Sequence, residues 1–390
     1  MNDLLQYLPQ DHHQASLIGR AWLPGTIPGP SPVWISESHV YDLSSIAPTC
    51  SELLNQESNI HSLDRDQLKN IGSYEVIMAN SLQIQRDQDI PFFLSPFDIQ
   101  AIKACGVTFM VSMLERVIEE RAGGNAGKAN AVRDKVLQRI GKDLTSIVPG
   151  SAEAEELKAV LQAEGMWSQY LEVGIGPYAE VFTKAQPMAS VGIGDLIGIH
   201  PISSWNNPEP EMVLAVNAKG KVVGASLGND VNLRDVEGRS ALLLGKAKDN
   251  NASCAIGPFI RLLDENFTLD DIRTASVGLK VENPQDGFLL EDSSDMRKIS
   301  RDILDLVSQT ISEHHQYPDG FALLTGTLFA PTQDREADGQ GFTHKMGDIV
   351  SIWSEKLGML QNTVCHTNEA APWEFGISAL MRNLAQRGLL

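Results

Sequence analysis

The hydrophobic pattern of the chain changes at about Trp167, and this change limits the folds that the chain can adopt. From about Phe97 to Gly165, apolar residues recur at helical spacing in FDIQAIKACGVTFMVSMLERVIEERA, NAVRDKVLQRIGKDL and SAEAEELKAVLQAEG. Ser151 heads the last of these segments, as expected of a helix N-cap. After Trp167, short β-branched runs such as EMVLAV and KVVGASLG alternate with turn residues, and one long helix is expected at about 293–315.

These patterns predict an α+β fold, a mixed β-sandwich or roll with few helices. Residues 1–95 mix Pro/Gly turns with short extended runs, which indicates a smaller N-terminal α/β region. Residues 121–165 are predicted to be a helical insertion that caps the site entrance. With a boundary at 160–166, the chain divides into an N-terminal part, 1–165, and a C-terminal part, 166–390.

Charge and cysteine usage exclude several classes of protein. Lys and Arg number 31 against 50 Asp and Glu, giving a net charge of −19 and no basic run, so no nucleic-acid partner is expected. The four cysteines lie far apart without a CxxC pair, which favours a reducing compartment. No signal-peptide pattern and no apolar run of about 20 residues is present, so we expect a cytoplasmic protein without a membrane partner.

The residues that indicate chemistry are acidic. Glu209 and Glu211 stand where a turn runs into the strand-like EMVLAV, and Asp230 ends another β-like run. Because side chains alternate along an extended chain, the two glutamates point the same way. Together the three carboxylates would make an oxygen-only site that suits Mg²⁺, and also Mn²⁺ or Ca²⁺. The alternative is that Glu209 and Glu211 line a solvated strand face.

Six patterns, which include the segments of these carboxylates, resemble in their order the fumarylacetoacetate hydrolase superfamily. They are EPE, GNDVNLRD, AKDNNASCAIGP, TGT, GDIV and GMLQN, over residues 209–362. Each is weak alone, but six in the family's order are specific, and two upstream segments extend the resemblance to about 104–366. The resemblance implies the family's C-terminal domain fold. It also implies that Glu209, Glu211 and Asp230 bind the metal, and that Lys248 and Thr327 contact a bound 2-oxo acid.

One position departs from the hydrolases of this family. They activate water with a His and a Glu of an upstream loop, but here Ser112 stands at the His position while Glu115 keeps the Glu. A serine hydroxyl cannot act as a base near neutral pH. The loop instead resembles that of the 2-keto-3-deoxy-pentonate (arabinonate or xylonate) dehydratases, through Gly106, Val107, Thr108, Phe109, Ser112 and Arg116. Those dehydratases also carry a Glu at the position of Glu180.

The resemblance implies a hydro-lyase that converts a 2-keto-3-deoxy-pentonate to 2,5-dioxopentanoate in non-phosphorylative pentose catabolism. Glu180 is the expected base at C3, and Lys248 is expected to hold the enolate. The candidate substrate contacts are Ser112, Arg116, Lys184 and Thr327. Lys184 is equally consistent with a solvated lysine at a strand end, and Ser112 with a plain loop hydroxyl.

Two other functions remain open at this point. The first is a C–C hydrolase or decarboxylase of an acylpyruvate, which would need a histidine from another segment. The second is an inactive homologue that binds a metal or ligand. His200, His344 and His366 have no partner at metal spacing and are interpreted as structural. Relatives of this kind imply a homodimer or homotetramer acting on a small 2-oxo acid.

Overall fold

The computed structural model describes residues 4–36, 38–56, 64–129, 133, 147–335 and 341–390. The strands are β1 Leu17–Leu23, β2 Gly29–Ser36, β3 His39–Asp42, β4 Lys69–Ser73, β5 Phe92–Leu94, β6 Ala101–Gly106, β7 Glu180–Ala185, β8 Leu196–Ile199, β9 Pro210–Val216, β10 Val222–Asp230, β11 Cys254–Leu262, β12 Ser276–Asn283, β13 Phe288–Asp295, β14 Phe321–Leu324, β15 Ile349–Ser354 and β16 Gly358–His366. The α-helices that begin and end within the described residues are α1 Cys50–Asn55, α2 Tyr74–Ser81, α3 Met110–Ala122, α4 Ala152–Ala163, α5 Gln169–Ile175, α6 Arg234–Glu237, α7 Leu244–Lys248, α8 Leu269–Thr274, α9 Ile303–Thr310 and α10 Ile377–Gln386.

The strands form two mixed sheets. The larger has eleven strands in the order β4-β3-β2-β1-β11-β10-β9-β14-β6-β7, with β5 paired to β1. The smaller has the order β13-β12-β15-β16-β8. Neighbouring strands are antiparallel except for the pairs β14–β6 and β16–β8. Two mixed sheets with helices around them confirm the predicted α+β class.

The main core lies between the two sheets, and β9 illustrates why. Its residues alternate, so Met212 and Leu214 pack in the core that also contains β12, β15 and β16 side chains. Val213 and Ala215, on the opposite face, pack in a second core with β11 and β14. A strand that is buried on both faces reads as a continuous apolar run, which is what EMVLAV is.

The predicted boundary at 160–166 falls between segments that share a sheet. Strands β1 to β6 precede it, whereas β7, β9, β10, β11 and β14 follow it, and all of them belong to the larger sheet. The division into 1–165 and 166–390 stays a prediction. Among the described residues, no helix is long and apolar enough to cross a bilayer.

Two helix predictions are wrong at their boundaries. The helical segment expected from Phe97 begins instead with β6, and α3 starts only at Met110. The helix expected at 293–315 is reduced to α9, because residues up to Asp295 pair with β12 in an antiparallel hairpin. In both places the hydrogen bonds to neighbouring strands override local helical spacing.

The helical insertion is described only in part. The segment NAVRDKVLQRIGKDL lies outside the described residues except for Arg133. Helix α4 is confirmed, and the Ser151 side chain accepts a hydrogen bond from the Ala154 N–H as its N-cap. It packs with α3 and α5 through Val117, Leu161 and other apolar residues. The role of this insertion as a cap over the site entrance stays a prediction.

Candidate metal and substrate site

Three carboxylates meet where β10 ends beside the start of β9. Glu211 pairs with Gly228 in this antiparallel ladder, which brings Asp230 beside Glu209. One oxygen from each of Glu209, Glu211 and Asp230 lies within 4.8 Å of the others. Each of the three residues is only 1% exposed, so the alternative of a solvated strand face is wrong.

The Thr325-Gly326-Thr327 segment positions one of these carboxylates. The Gly326 N–H donates to Glu211 Oε2 at 2.8 Å, and Thr327 Oγ1 donates to Oε1 at 3.3 Å. Gly326 has a φ of 104°, and a Cβ on it would lie 1.9 Å from the Thr108 hydroxyl oxygen. Only glycine fits this conformation and this space, so the backbone can approach Glu211.

Three cations surround the carboxylates. Lys248 Nζ lies 2.5 Å from Glu209 Oε2 and 3.1 Å from Asp230 Oδ2. Arg116 donates through Nη2 to Glu209 Oε1. Lys184 Nζ lies 3.0 Å from Asp230 Oδ1. The Glu209, Glu211 and Asp230 carboxylates thus occupy a buried ionic cluster rather than a simple acidic pocket.

The position of Lys184 decides between the two interpretations given above for this residue. Its side chain is fully buried, so it is not a solvated lysine at a strand end. Its ammonium group also donates to the backbone carbonyls of Val231 and Lys248. These contacts suit a residue that holds Asp230 and the Lys248 backbone in place from behind the carboxylates.

The pKa values in the cluster diverge because charge is unevenly distributed. Burial, together with the neighbouring Asp230 and Glu209 carboxylates, raises the pKa of Glu211 well above its usual value. Burial would also raise the pKa of Glu209, but Lys248 and Arg116 lower it to about 2. Burial acts to lower the pKa of Lys248, yet the Asp230 and Glu209 carboxylates raise it above the ordinary lysine value.

These residues fit a divalent metal ion. The three donors are hard carboxylate oxygens, close enough to share one ion. The strongly raised pKa of Glu211 indicates that Lys248 and Arg116 leave it short of positive charge, which a cation would supply. The predicted triad can therefore hold a metal.

A narrow cavity lies beside the triad. Apart from the carboxylates already described, its polar lining consists of Ser112, Arg116, Glu180, Glu237, Lys248 and Thr327. All predicted catalytic and substrate-contacting residues except Lys184 thus lie together, although their roles stay predictions.

Glu180 begins β7 and projects beside β6. Gly106 is its partner across the ladder, and a Cβ on Gly106 would lie 1.8 Å from Glu180 Oε2. Glycine at this position therefore leaves room for the carboxyl group. Burial raises the pKa of Glu180, with Arg116 and Lys248 opposing that effect.

Ser112 and Glu115, which stand at the positions of the hydrolase His and Glu, make other contacts in this protein. Ser112, in the first turn of α3, donates through Oγ to the Phe109 carbonyl at 2.9 Å. Glu115 accepts hydrogen bonds from Arg133 at 2.8 Å and from Arg234 at 3.1 Å. Burial would raise the pKa of Glu115, but the two arginines lower it below the usual value. An ionised carboxylate held by two arginines is a poor base.

Glu237 is a cavity residue that the sequence analysis missed. It stands seven residues after Asp230, inside the GNDVNLRDVEG segment, so its membership of that motif was an available signal. Its Oε2 lies 3.2 Å from Arg116 Nη1. The same guanidinium nitrogen donates to Glu119 Oε2 at 2.6 Å, one helical turn along α3.

Comparison with known proteins agrees with this geometry. Residues 206–365 match the family described as fumarylacetoacetate (FAA) hydrolase, C-terminal. These residues are a fumarylacetoacetate hydrolase domain. The match contains the carboxylate triad, Lys248 and Thr327, and it confirms the resemblance found in the sequence.

Two curated relatives of this domain are named dehydratases. A probable 2-keto-3-deoxyxylonate dehydratase from Haloferax volcanii is 32% identical over 204 residues, which are 52% of this chain and 66% of that protein. A 2-dehydro-3-deoxy-D-arabinonate dehydratase from Saccharolobus solfataricus is 32% identical over 181 residues, 46% of this chain and 57% of that protein. The matched parts span less than two thirds of either relative.

Solved structures of fumarylacetoacetate hydrolase-like proteins share the fold. A 2-keto-3-deoxy-D-arabinonate dehydratase complexed with magnesium and 2,5-dioxopentanoate has a TM-score of 0.61 at 21% identity, covering 90% of this chain and 99% of that one. A fumarylacetoacetate hydrolase from Exiguobacterium antarcticum has a TM-score of 0.55 at 16% identity, covering 90% and 100%. At these identities the likeness establishes the fold.

Proposed function

We propose that this chain is a metal-dependent hydro-lyase that dehydrates a 2-keto-3-deoxy-pentonate to 2,5-dioxopentanoate. The observation that carries the proposal is the Glu180 carboxyl, which is partly buried, has a raised pKa and lies in the cavity beside the carboxylate triad. No histidine stands among the described residues that line this cavity. The activities named for the two curated relatives support the same reaction class.

Glu209, Glu211 and Asp230 would hold the metal through oxygen atoms alone. Mg²⁺ is the proposed ion, and Mn²⁺ or Ca²⁺ would accept the same ligands. When bound, such an ion polarises the carboxylate and keto oxygens of a 2-oxo acid and so acidifies the hydrogens on C3. A magnesium complex is also named for a protein of the same fold.

Glu180 would remove the C3 proton. A carboxyl group is a better general base when its pKa lies closer to the working pH, and burial moves the pKa of Glu180 in that direction. Lys248 stays protonated beside Glu209 and Asp230, so its ammonium group would stabilise negative charge that develops on the C2 oxygen. The C4 hydroxyl would then leave as water with the proton that Glu180 took from C3, and tautomerisation would give the aldehyde at C5.

The remaining cavity residues would orient the substrate. Ser112 donates its own proton to the Phe109 carbonyl, so its oxygen can accept a hydrogen bond from a substrate hydroxyl. Arg116 and Thr327 also line the cavity and are proposed substrate contacts. Lys184 is proposed to position Asp230. In the cell, the enzyme would act in non-phosphorylative pentose catabolism, as a cytoplasmic homodimer or homotetramer.

The proposal is tested with purified protein, Mg²⁺ and 2-keto-3-deoxy-D-arabinonate or 2-keto-3-deoxy-D-xylonate. Formation of 2,5-dioxopentanoate should depend on the metal, stop with EDTA and return when Mg²⁺ is added. An acylpyruvate offered in parallel should release no pyruvate. Efficient pyruvate release without dehydration would contradict the proposed reaction class, and turnover that EDTA leaves unchanged would contradict the metal assignment.

A further inference from the structure

Besides the triad and Glu180, the cavity is lined by the buried carboxyl group of Glu237. It ends the short helix α6, and its side chain is only 5% exposed. The helix is held by Arg234, whose Nε donates to Glu119 at 2.6 Å and whose Nη2 donates to Glu115 at 3.1 Å. The carboxyl group is therefore carried on a well-anchored segment of backbone.

One oxygen of this carboxyl has no hydrogen bond. Glu237 Oε2 is buried and accepts none from the part of the chain that the structure describes. Arg116 Nη1 is 3.2 Å away, but that nitrogen donates to Glu119 Oε2. Leaving a buried carboxyl oxygen without a donor is unfavourable, so an unmet acceptor facing a cavity indicates a missing partner.

Arg116 separates this carboxyl from the metal-binding carboxylates. Its Nη2 contacts Glu209, whereas its Nη1 lies beside Glu119 and Glu237. The cavity thus has one end at the triad, which suits the carboxylate and keto groups of a 2-oxo acid. The other side of the Arg116 guanidinium presents the Glu237 carboxyl to whatever part of the substrate extends beyond C2.

We infer that Glu237 hydrogen-bonds a hydroxyl group of the substrate and thereby selects hydroxylated 2-oxo acids over those without hydroxyl groups. The inference rests on the proposed function for the orientation of the substrate, with C1 and C2 at the triad. It assigns to Glu237 a specificity-determining contact rather than a part in proton removal from C3.

The protonation of Glu237 suits this contact. Burial, opposed by Arg116 and Lys248, raises the pKa of Glu237 to about 7. A substantial fraction of the carboxyl groups then carries a proton near neutral pH. A protonated carboxyl offers one donor and several acceptor positions, which match a hydroxyl group that also donates and accepts.

The test compares Glu237→Leu with Glu237→Gln, because Gln keeps a donor and an acceptor while Leu keeps neither. The KM for 2-keto-3-deoxy-D-arabinonate should rise at least about tenfold in Glu237→Leu, the usual cost of an unmatched hydroxyl, and less than about threefold in Glu237→Gln. The inhibition constant of pyruvate, which has no hydroxyl, should change by less than about twofold in both. If Glu237→Leu does not fold, Glu237→Met takes its place.

Glu119→Gln is the matched control, because Glu119 binds Arg116 but does not line the cavity, and the remaining amide oxygen can still accept from Arg234, which anchors α6. It should leave the ratio of KM to the pyruvate inhibition constant unchanged. If Glu237→Leu weakened the binding of the sugar acid and of pyruvate equally, Glu237 would act through Arg116, and the inference would be overturned. A selective loss of sugar-acid binding in Glu119→Gln would lead to the same conclusion. An unchanged KM in Glu237→Leu would overturn it as well.

Failure of the proposed function would be recognised separately. If the wild-type protein dehydrates no 2-keto-3-deoxy-pentonate, that function is wrong, and binding is then measured by titration calorimetry with Mg²⁺ present. The sugar acid should still bind the wild type at least about tenfold more tightly than it binds Glu237→Leu. Equal binding to the two proteins would overturn the inference.

Discussion

Two buried clusters of charged residues in this molecule differ in their charge: one has an excess of carboxylates, and the other has a single carboxylate surrounded by donors. At the candidate site, the three carboxylates of Glu209, Glu211 and Asp230 crowd within 4.8 Å. In the second cluster a single carboxylate, Asp348, accepts from both guanidinium ends of Arg335, at 2.5 and 2.7 Å. Asp348 also accepts from other donors, namely His344, Asn283 and the Lys345 N–H.

The pKa values express this contrast. Burial would raise the pKa of Asp348, but its bonds to His344 and Arg335 lower it well below the usual value. Burial and like charge instead raise the pKa of Glu211. Both residues belong to segments that resemble the family, EPE and GDIV. Membership of a family motif therefore does not distinguish the two residues, whereas the number of hydrogen-bond donors around each carboxylate does. A carboxylate such as Asp348, whose oxygens accept from several donors, stabilises the fold. A carboxylate such as Glu211, which lies among other carboxylates, is suited to binding a cation.

The largest expected effect comes from a substitution in the cluster of Glu209, Glu211 and Asp230, here called the crowded cluster. Glu211→Gln should lower kcat/KM at least about 10³-fold, because it removes one of three metal ligands and with it several kcal/mol of charge stabilisation. The fold should remain, since the Gln oxygen can still accept from the Gly326 N–H. Initial rates and the thermal shift on adding Mg²⁺ measure the two effects. A variant that is still stabilised by Mg²⁺ as strongly as the wild type would contradict the ligand assignment.

The same type of substitution should lower stability rather than activity in the cluster around Asp348 and Arg335, here called the satisfied cluster. Asp348→Asn should destabilise the protein by about 3 kcal/mol, because it leaves the Arg335 guanidinium buried without its counter-charge. The protein that remains folded should keep the KM of the wild type. Denaturant unfolding measures the loss. Asp286→Asn, which removes a more exposed partner of the same Arg335 at 3.6 Å, is the control and should change stability little.

Much of the candidate site could be predicted because its ligands are local in sequence. Glu209 directly precedes β9 and Glu211 lies two residues later, in that strand, so alternation alone places them together. The order of the motifs adds Asp230, Lys248 and Thr327. The burial of these residues could not be predicted in the same way. It depends on α3, on β7 and on the segment of Lys248, which line the cavity from distant positions in the sequence.

The errors have the same physical origin. Lys184 is buried rather than solvated because Asp230 and two backbone carbonyls, all distant in sequence, surround its ammonium group. The predicted helix at 293–315 is interrupted because Asp295 pairs with Ser276 in a hairpin. His344 was interpreted as structural, and the fold shows its Nδ1 bonded to Asp348, four residues later in the GDIV segment.

Glu180 and Glu115 extend the comparison to single carboxyl groups near α3. Glu180→Gln should lower kcat about 10²-fold, the usual size of a lost general base, while pyruvate binding is kept. Glu115→Gln is its control, because Glu115 is bound by Arg133 and Arg234 and has a lowered pKa. It should affect stability more than rate. Full activity in Glu180→Gln would contradict the choice of base, and a rate loss in Glu115→Gln as large as that in Glu180→Gln would contradict the distinction between them.

The smallest expected effect is a pH dependence of stability that belongs to the satisfied cluster. Burial lowers the pKa of His344, although Asp348 opposes this, so the unfolded chain binds a proton at a higher pH than the folded protein does. Stability from this group is therefore complete above the unfolded pKa of about 6.5 and is lost as the pH falls below it, by at most about 1.4 kcal/mol per pH unit. Asp348, whose folded pKa is also lowered, adds a further loss only below about pH 3.9. Unfolding free energies measured between pH 7.5 and 5 should fall more steeply for the wild type than for His344→Gln, which cannot titrate. If the unfolding free energies of the two proteins changed in parallel with pH, His344 would be protonated equally in the folded and unfolded states. The interactions of Asp348 would then not require His344 to be neutral.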